Sequence, residues 1–337
     1  MARRRTGRIA LLVALAALVL SACGGSSGPS ITLYNGQHSQ LTAALVSAFE
    51  QKTGISVRVL SNDGVVLADQ ILQEGSASPA DVYITENTPE LMLLQEHQLL
   101  AKLSPAVLAQ VPAADSSPKG NWVGVAERVN TLAYDPARLP ASALPASILD
   151  LANPSWAGRI AIAPTDSDFL PLVSAVAVTY GPTKALNWLE GLKRNATLYQ
   201  TSEAVVAAVN RGAVPAGLVN EYYWYRLRLE VGAGNMHSVL HAFPAHDAGS
   251  AANISGAAVL ASSGNKAAAD RFVAFLVSRQ GQRILAQGDD FEYPIRPGVT
   301  ANPALPALSH FNPTSLGVAT LGDDRAAVAL LQQAGLA

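Results

Sequence analysis

The chain has 337 residues, of which 49% are hydrophobic and only 14% charged, with 23 Lys and Arg against 25 Asp and Glu. Residues 1–22 hold four arginines and no acid, so the remainder of the chain carries 19 basic against 25 acidic side chains, a net charge of −6; a nucleic-acid binder would show a basic stripe instead. One cysteine, Cys23, excludes an intrachain disulfide and argues against thiolate metal sites, while about 300 residues past the leader exceed one hydrophobic core and predict two lobes.

In chain order, Arg3, Arg4, Arg5 and Arg8 precede an apolar run at 9–20 that is too short to span a bilayer comfortably. The run ends in Leu20-Ser21-Ala22-Cys23-Gly24, which resembles the lipobox of bacterial lipoproteins. Residues 1–22 then read as a signal peptide, Cys23 as the lipidation site, and 23–30 as the acylated residue with a flexible Gly/Ser tether.

Short apolar strands alternate with helical stretches after that. Residues 31–34 predict a strand, and Ser39 is placed to cap a helix carrying Leu41, Leu45, Ala48 and Phe49 at helical spacing up to Gly54. Strands at 56–60 and 81–84 flank a helix at 65–74, and the Pro-, Ser- and Ala-rich stretch 101–118 reads as a helix with a surface loop. A strand at 159–163 and helices at 182–192, 202–210, 265–279, 281–287 and 325–334 complete the order. This rhythm predicts βαβ units with a largely parallel sheet. The acid pairs Asp289-Asp290 and Asp323-Asp324 read as solvated turns.

The chemistry concentrates in Asn220-Glu221-Tyr222-Tyr223-Trp224. Ionising a free phenol of pKa ~10 at pH 7 costs roughly 4 kcal/mol, and two cost about 8. A trivalent iron ion can repay that because ligand deprotonation and metal binding are one coupled event; calcium and magnesium are satisfied by carboxylates, carbonyls and water. Tyr222 to Tyr225 read equally as core, or as a stacking platform for a sugar or polyamine. Neighbours in a regular strand point to opposite faces, so two adjacent tyrosines reach one ion only from a turn or a helix start, which the helical-looking 224–230 allows.

The segments around this pair together resemble the ferric-iron-binding proteins of bacterial ABC importers. Tyr34-Asn35-Gly36-Gln37-His38 is similar to that family's opening segment, and Glu74 to Val82 matches a block leading to the glutamate of Thr85-Glu86-Asn87. Asn220 to Trp224 matches its twin-tyrosine segment, while Ser255 to Leu260, Phe272 to Leu276 and Glu292-Tyr293-Pro294 carry the likeness almost to the end. The resemblance implies an α/β, two-lobed periplasmic-binding-protein fold (type II-like), with hinge strands and an inter-lobe cleft. Residues 31–128 plus about 253–302 would form the N-terminal lobe, and about 129–252 plus 303–337 the C-terminal lobe. It implies a non-enzymatic, monomeric, lipid-anchored receptor outside the cytoplasm. That receptor captures Fe3+ with His38, Glu86, Tyr222 and Tyr223 and hands it to an ABC permease and its ATPase.

Neutral His38 with Glu86 and two phenolates balances a ferric charge and leaves two octahedral positions open. The family typically fills these with an anion such as phosphate or carbonate, held by small residues, an asparagine and an arginine; Asn220 and Arg128 match the last two. This chain departs from the pattern at Asp166-Ser167-Asp168, where the family often has Ser-Gly-Ala, and at Thr201, which replaces an asparagine. Two carboxylates would repel a phosphate by about 4 kcal/mol for unit charges ~4 Å apart near a protein surface. Either Asp166 or Asp168 then replaces the exogenous anion, as a ligand or as the holder of a coordinated water, or both face solvent or pair with Arg128 or Arg159.

A metal- or anion-dependent hydrolase using Asp166, Asp168 and His38 lacks an evident nucleophile. No nucleophile elbow, P-loop or dinucleotide fingerprint occurs. His237, His241 and His246 carry spacing compatible with zinc but read as a solvated loop.

Overall fold

The computed structural model describes residues 28–314 and 316–337. The predicted signal peptide at 1–22, the predicted lipidation site Cys23 and the first part of the predicted tether lie outside the described residues. Among the described residues ten strands occur in chain order: β1 (Ser30–Gly36), β2 (Ser56–Ser61), β3 (Val82–Thr85), β4 (Trp122–Tyr134), β5 (Ile160–Ile162), β6 (Ala196–Leu198), β7 (Ala216–Asn220), β8 (Val239–His241), β9 (Ala252–Val259) and β10 (Tyr293–Pro294). They join in the order β2-β1-β3-β9-β4-β7-β5-β6, with β8 and β10 paired to β4.

Parallel pairing is confined to the two ends of this path. β1 is parallel to β2 and β3, and β5 is parallel to β6 and β7. All five pairings that involve β4 or β9 are antiparallel. The expected largely parallel sheet is therefore corrected to a mixed one. Helical crossovers build its two ends, whereas β4 and β9 carry the chain between them. β4 does this in one run: Trp122 to Val129 pair with β9, and Asn130 to Tyr134 pair with β7.

The apolar core divides in the same way. One buried cluster draws on residues between 31 and 126 and between 254 and 295, with Phe49 packed edge-on against Phe272 at 4.9 Å. Two others, which include Trp188 and Tyr222, draw on the second half of β4. Burial of these side chains is the main force that closes each half around its own stretch of sheet.

Local rules set the helix limits. Helix Ser39–Thr53 comes directly after His38, so Ser39 is its first residue rather than its cap, and Gly54 ends it at φ 69° with its N–H bonded to the Glu50 carbonyl. The stretch read as one helix over 265–279 stops at Leu276; a separate helix, Arg279–Gln287, starts where the Ser278 hydroxyl accepts the Gly281 N–H. Residues 101–118 yield the short helix Pro105–Leu108 and a single 3-10 turn at Ala113–Asp115. A Cβ on Gly36 would lie 2.6 Å from the Gly64 Cα, so only glycine lets the end of β1 meet the start of helix Gly64–Glu74. Gln37 and His38 emerge at this junction.

Both acid pairs also need correction. Asp290 and Asp324 are buried, and only their partners Asp289 and Asp323 reach solvent. Asp324 sits at a positive φ of 58°, covered by helix Phe169–Tyr180, from which Ser174 donates a 2.5 Å hydrogen bond.

Candidate functional site

β7 ends at Asn220 and the chain turns at once into helix Glu221–Val231, which places Tyr222 and Tyr223 in its first turn. Successive helical side chains diverge by about 100° rather than the 180° of a strand, so both phenols can aim at one point. Both do, donating to the same carboxylate oxygen of Asp168, Oδ2, at 2.9 and 3.0 Å. The Asn220 side-chain amide donates to that oxygen as well, at 2.9 Å. The two rings lie 4.0 Å apart between centroids and are almost wholly withdrawn from solvent, 0% and 5% exposed.

Burial and the adjacent Asp168 charge push both phenol pKa values well above 10, so without a metal they are neutral donors. Burial would raise Asp168 too. The Arg128 guanidinium and the hydrogen bonds from Tyr222, Arg128 and Asn220 outweigh that and hold it below the ordinary carboxylate value. Asp166 behaves differently: burial and the neighbouring Asp168 charge lift it to about 6. Its oxygens are already committed to the backbone N–H groups of Ser202 and Asp168.

His38 and Glu86 form a second wall. His38 Nδ1 lies 2.9 Å from Glu86 Oε1 and also meets the side-chain oxygen of Gln37, and its ring meets Tyr222 edge-on at 5.3 Å. Burial alone would lower the His38 pKa, but Glu86, with smaller help from Glu292 and Asp290, raises it to about 9. In the metal-free state this pair is therefore an imidazolium–carboxylate pair.

Arg128, fully buried midway along β4, ties the two walls together. It donates to Asp168 Oδ1 at 3.1 Å, to Glu292 Oε1 at 2.9 Å, to Asn87 Oδ1 at 3.1 Å and to the Glu86 backbone carbonyl. Gln37 reaches the other oxygen of Glu292 at 3.1 Å. Glu221, beside Tyr222, accepts the Val129 N–H at 2.7 Å, and burial raises its pKa to about 8.

A cavity of about 440 Å³ opens onto this arrangement, lined among others by His38, Glu86, Ser167, Tyr223, Asn62 and Arg226. Among the described residues no three His, Cys, Asp or Glu side chains converge on a metal-sized site. Hard-ion binding here therefore depends on the phenols joining His38 and Glu86.

The fold thus gathers His38, Glu86, Arg128, Asp168, Asn220, Tyr222 and Tyr223. Thr201 is outside the group: it is exposed and caps helix Ser202–Asn210 by accepting the Ala204 N–H. His237, His241 and His246 form no metal-binding group among the described residues. Sequence reasoning misses Glu292, Gln37, Asn87 and Glu221 as parts of the site. All four sit inside the segments that carry the family likeness, and that proximity is the one signal that could have found them.

A model of the bacterial extracellular solute-binding protein family matches residues 33–288. The chain is 37% identical over 330 residues to the Fe(3+)-binding periplasmic protein of Serratia marcescens, covering 98% of this chain and 97% of the relative. It is 38% identical over 311 residues to the major ferric iron-binding protein of Neisseria meningitidis, covering 91% and 93%. Iron-bound HitA from Pseudomonas aeruginosa superposes with a TM-score of 0.87 at 42% identity, over 92% of this chain and 100% of that one.

Proposed function

The chain belongs to the bacterial extracellular solute-binding proteins, with close relatives named for ferric iron, and we propose that it is the Fe3+ receptor of an ABC importer. His38 and Glu86 on one wall and Tyr222 and Tyr223 on the other would hold the ion. The observation that carries this reading is the meeting of two adjacent, buried phenols at one oxygen, beside a paired histidine and glutamate.

The charge balance supports it. On binding, His38 gives up its proton and both phenols ionise, so Glu86, Tyr222 and Tyr223 supply three negative charges to a trivalent ion. The proton cost exceeds the roughly 4 kcal/mol per phenol of a solvated tyrosine, which selects a hard, highly charged cargo. Asp168 already occupies the point where the phenols converge, and Arg128 neutralises it. It therefore serves in place of an exogenous phosphate or carbonate, as a ligand or as the holder of a coordinated water.

The lobes divide near residues 128, 252 and 302, so the two walls close on the ion by a hinge motion through β4 and β9. The loaded, monomeric receptor, exported and anchored through Cys23 to the outer face of the membrane, presents iron to a permease and its ATPase. The competing reading of an organic-solute platform finds little support. The faces of Tyr222 and Tyr223 are buried, and the Trp224 ring N–H is engaged by Ser238.

A ferric titration followed by visible absorbance, with and without phosphate, tests the proposal. A coloured one-to-one complex, lost in Tyr222→Phe and Tyr223→Phe and indifferent to phosphate, is expected. No colour and no iron binding would overturn the iron reading, and strong phosphate dependence would remove Asp168 from its anion role.

A further inference from the structure

A second cavity, of about 210 Å³, lies between the two halves of the protein and shares no lining residue with the cleft of His38 and Glu86. Helix Gly64–Glu74 contributes Val65, Ala68 and Asp69 to it, and helix Thr88–Glu96 contributes Glu90 and Leu93. From the other half come Leu170 and the Asp323, Asp324, Arg325 and Val328 segment. At about 30 Å³ per water-sized group it has room for roughly seven non-hydrogen atoms.

The lining is mostly apolar but holds two buried acids with no cation. Glu90 is 7% exposed, and its Oε2 has no hydrogen-bond partner. Asp324 is also 7% exposed and accepts only from the Ser174 hydroxyl. The one basic residue in the wall, Arg325, turns away to Glu96 at 3.0 Å and to Asp323. Burial pushes the Asp324 pKa to about 7, and burial with the Asp324 charge pushes Glu90 well above the usual range. A cation between them is the group that would restore their charge. Two features disfavour a metal ion: no three His, Cys, Asp or Glu converge among the described residues, and Val65, Ala68, Pro89, Leu93, Leu170 and Val328 make much of the wall hydrocarbon. Apolar walls with a few convergent polar groups are the common design of small-molecule sites.

We propose that this cavity binds a small organic monocation, a protonated short-chain alkylamine, with its ammonium between Glu90 and Asp324 and its chain along Ala68, Leu93 and Val328. Its walls come from both halves, so the occupant stabilises the arrangement of lobes that encloses it. The inference does not depend on iron.

Calorimetric titration of the metal-free full chain with n-pentylamine, using n-pentanol as the uncharged isostere, tests it. Saturable one-to-one binding of the amine is expected, with the alcohol about tenfold or more weaker. Glu90→Gln should weaken the amine by about tenfold, and Val328→Trp, on the half-exposed rim, should block it while leaving the buried acids in place. Equal binding of amine and alcohol, amine affinity unchanged in both variants, or no saturable binding to the folded protein would each overturn the proposal.

Discussion

Asp168 and Glu90 are both carboxyl groups buried between the two halves of the same protein, and their surroundings drive them to opposite charge states. Asp168 receives three hydrogen bonds on one oxygen and the Arg128 guanidinium on the other, and stays ionised despite burial. Glu90 has an oxygen with no partner and another acid nearby, and holds its proton. Depth of burial therefore does not set the charge of an interior carboxyl. The charges beside it and the donors aimed at it do. That difference also separates the two cavities, since one is a preorganised polar cradle and the other an apolar pocket whose two buried acids have no cation and, at Glu90, an oxygen with no partner.

The comparison breaks most forcefully at Arg128. Arg128→Met should leave Asp168 and Glu292 buried without their cation and destabilise the fold by about 3–5 kcal/mol. Chemical denaturation measures this, and a loss under about 1 kcal/mol would mean that solvent reaches these carboxylates. Asp168→Asn is the next largest. It keeps the shape but removes the charge that three donors and Arg128 address, and should cost about 2–3 kcal/mol. Iron binding in this variant should become dependent on added phosphate; phosphate-independent binding at unchanged affinity would contradict the anion role.

Asp324 tests the other side through pH. Its folded pKa, about 7, lies above the 3.8 of an unperturbed aspartate, so the folded state holds a proton that the unfolded chain has released. Stability therefore falls as pH rises from about 4 to about 7, with a limiting slope near 1.4 kcal/mol per pH unit. Glu127 and Glu221, raised to about 7 and about 8, slope in the same sense. The signature of Asp324 is thus the difference between wild type and Asp324→Asn, about 2 kcal/mol between about pH 5 and pH 7. Identical slopes in the two proteins would show that Asp324 is hydrated.

Legibility in the sequence divides along the same line. Tyr222 and Tyr223 stand out because two adjacent phenols are costly to ionise together, and the need for a helix start beside them is plain geometry. His38 and Glu86 carry no such mark: each is an ordinary polar residue until β1 and β3 place their ends side by side. The strand–helix rhythm gives β1, β2 and β3 at one end of the sheet and, at the other, β5 without its partners β6 and β7. It misses β4 because its Glu127-Arg128 pair interrupts the apolar pattern, and the Arg128 charge is tolerated there only because other elements bring Asp168 and Glu292 to it. Asp324 reads as a solvated turn because Ser174, which covers it, lies 150 residues away. Glu90 carries no mark in the sequence, and in the fold it lies in the first turn of helix Thr88–Glu96. Packing from the opposite half is what encloses it, and no local pattern encodes that.

The smallest predicted effect sharpens the comparison furthest. Glu90→Gln replaces a protonated carboxyl by an uncharged group of nearly the same shape, and breaks no side-chain hydrogen bond to Oε2 because none exists there. Near pH 5, where the unfolded glutamate is about three-quarters to five-sixths ionised, the change in unfolding free energy should stay within about 0.5–1 kcal/mol. As pH rises, the gap should open in favour of the variant, because only the wild type must then either ionise Glu90 in an apolar wall or keep a proton that the unfolded chain has lost. Urea unfolding at matched pH values measures both the size and the sign. A loss of more than about 2 kcal/mol in the variant at either pH would mean that Glu90 is a paired carboxylate like Asp168, and the contrast between the two sites would disappear.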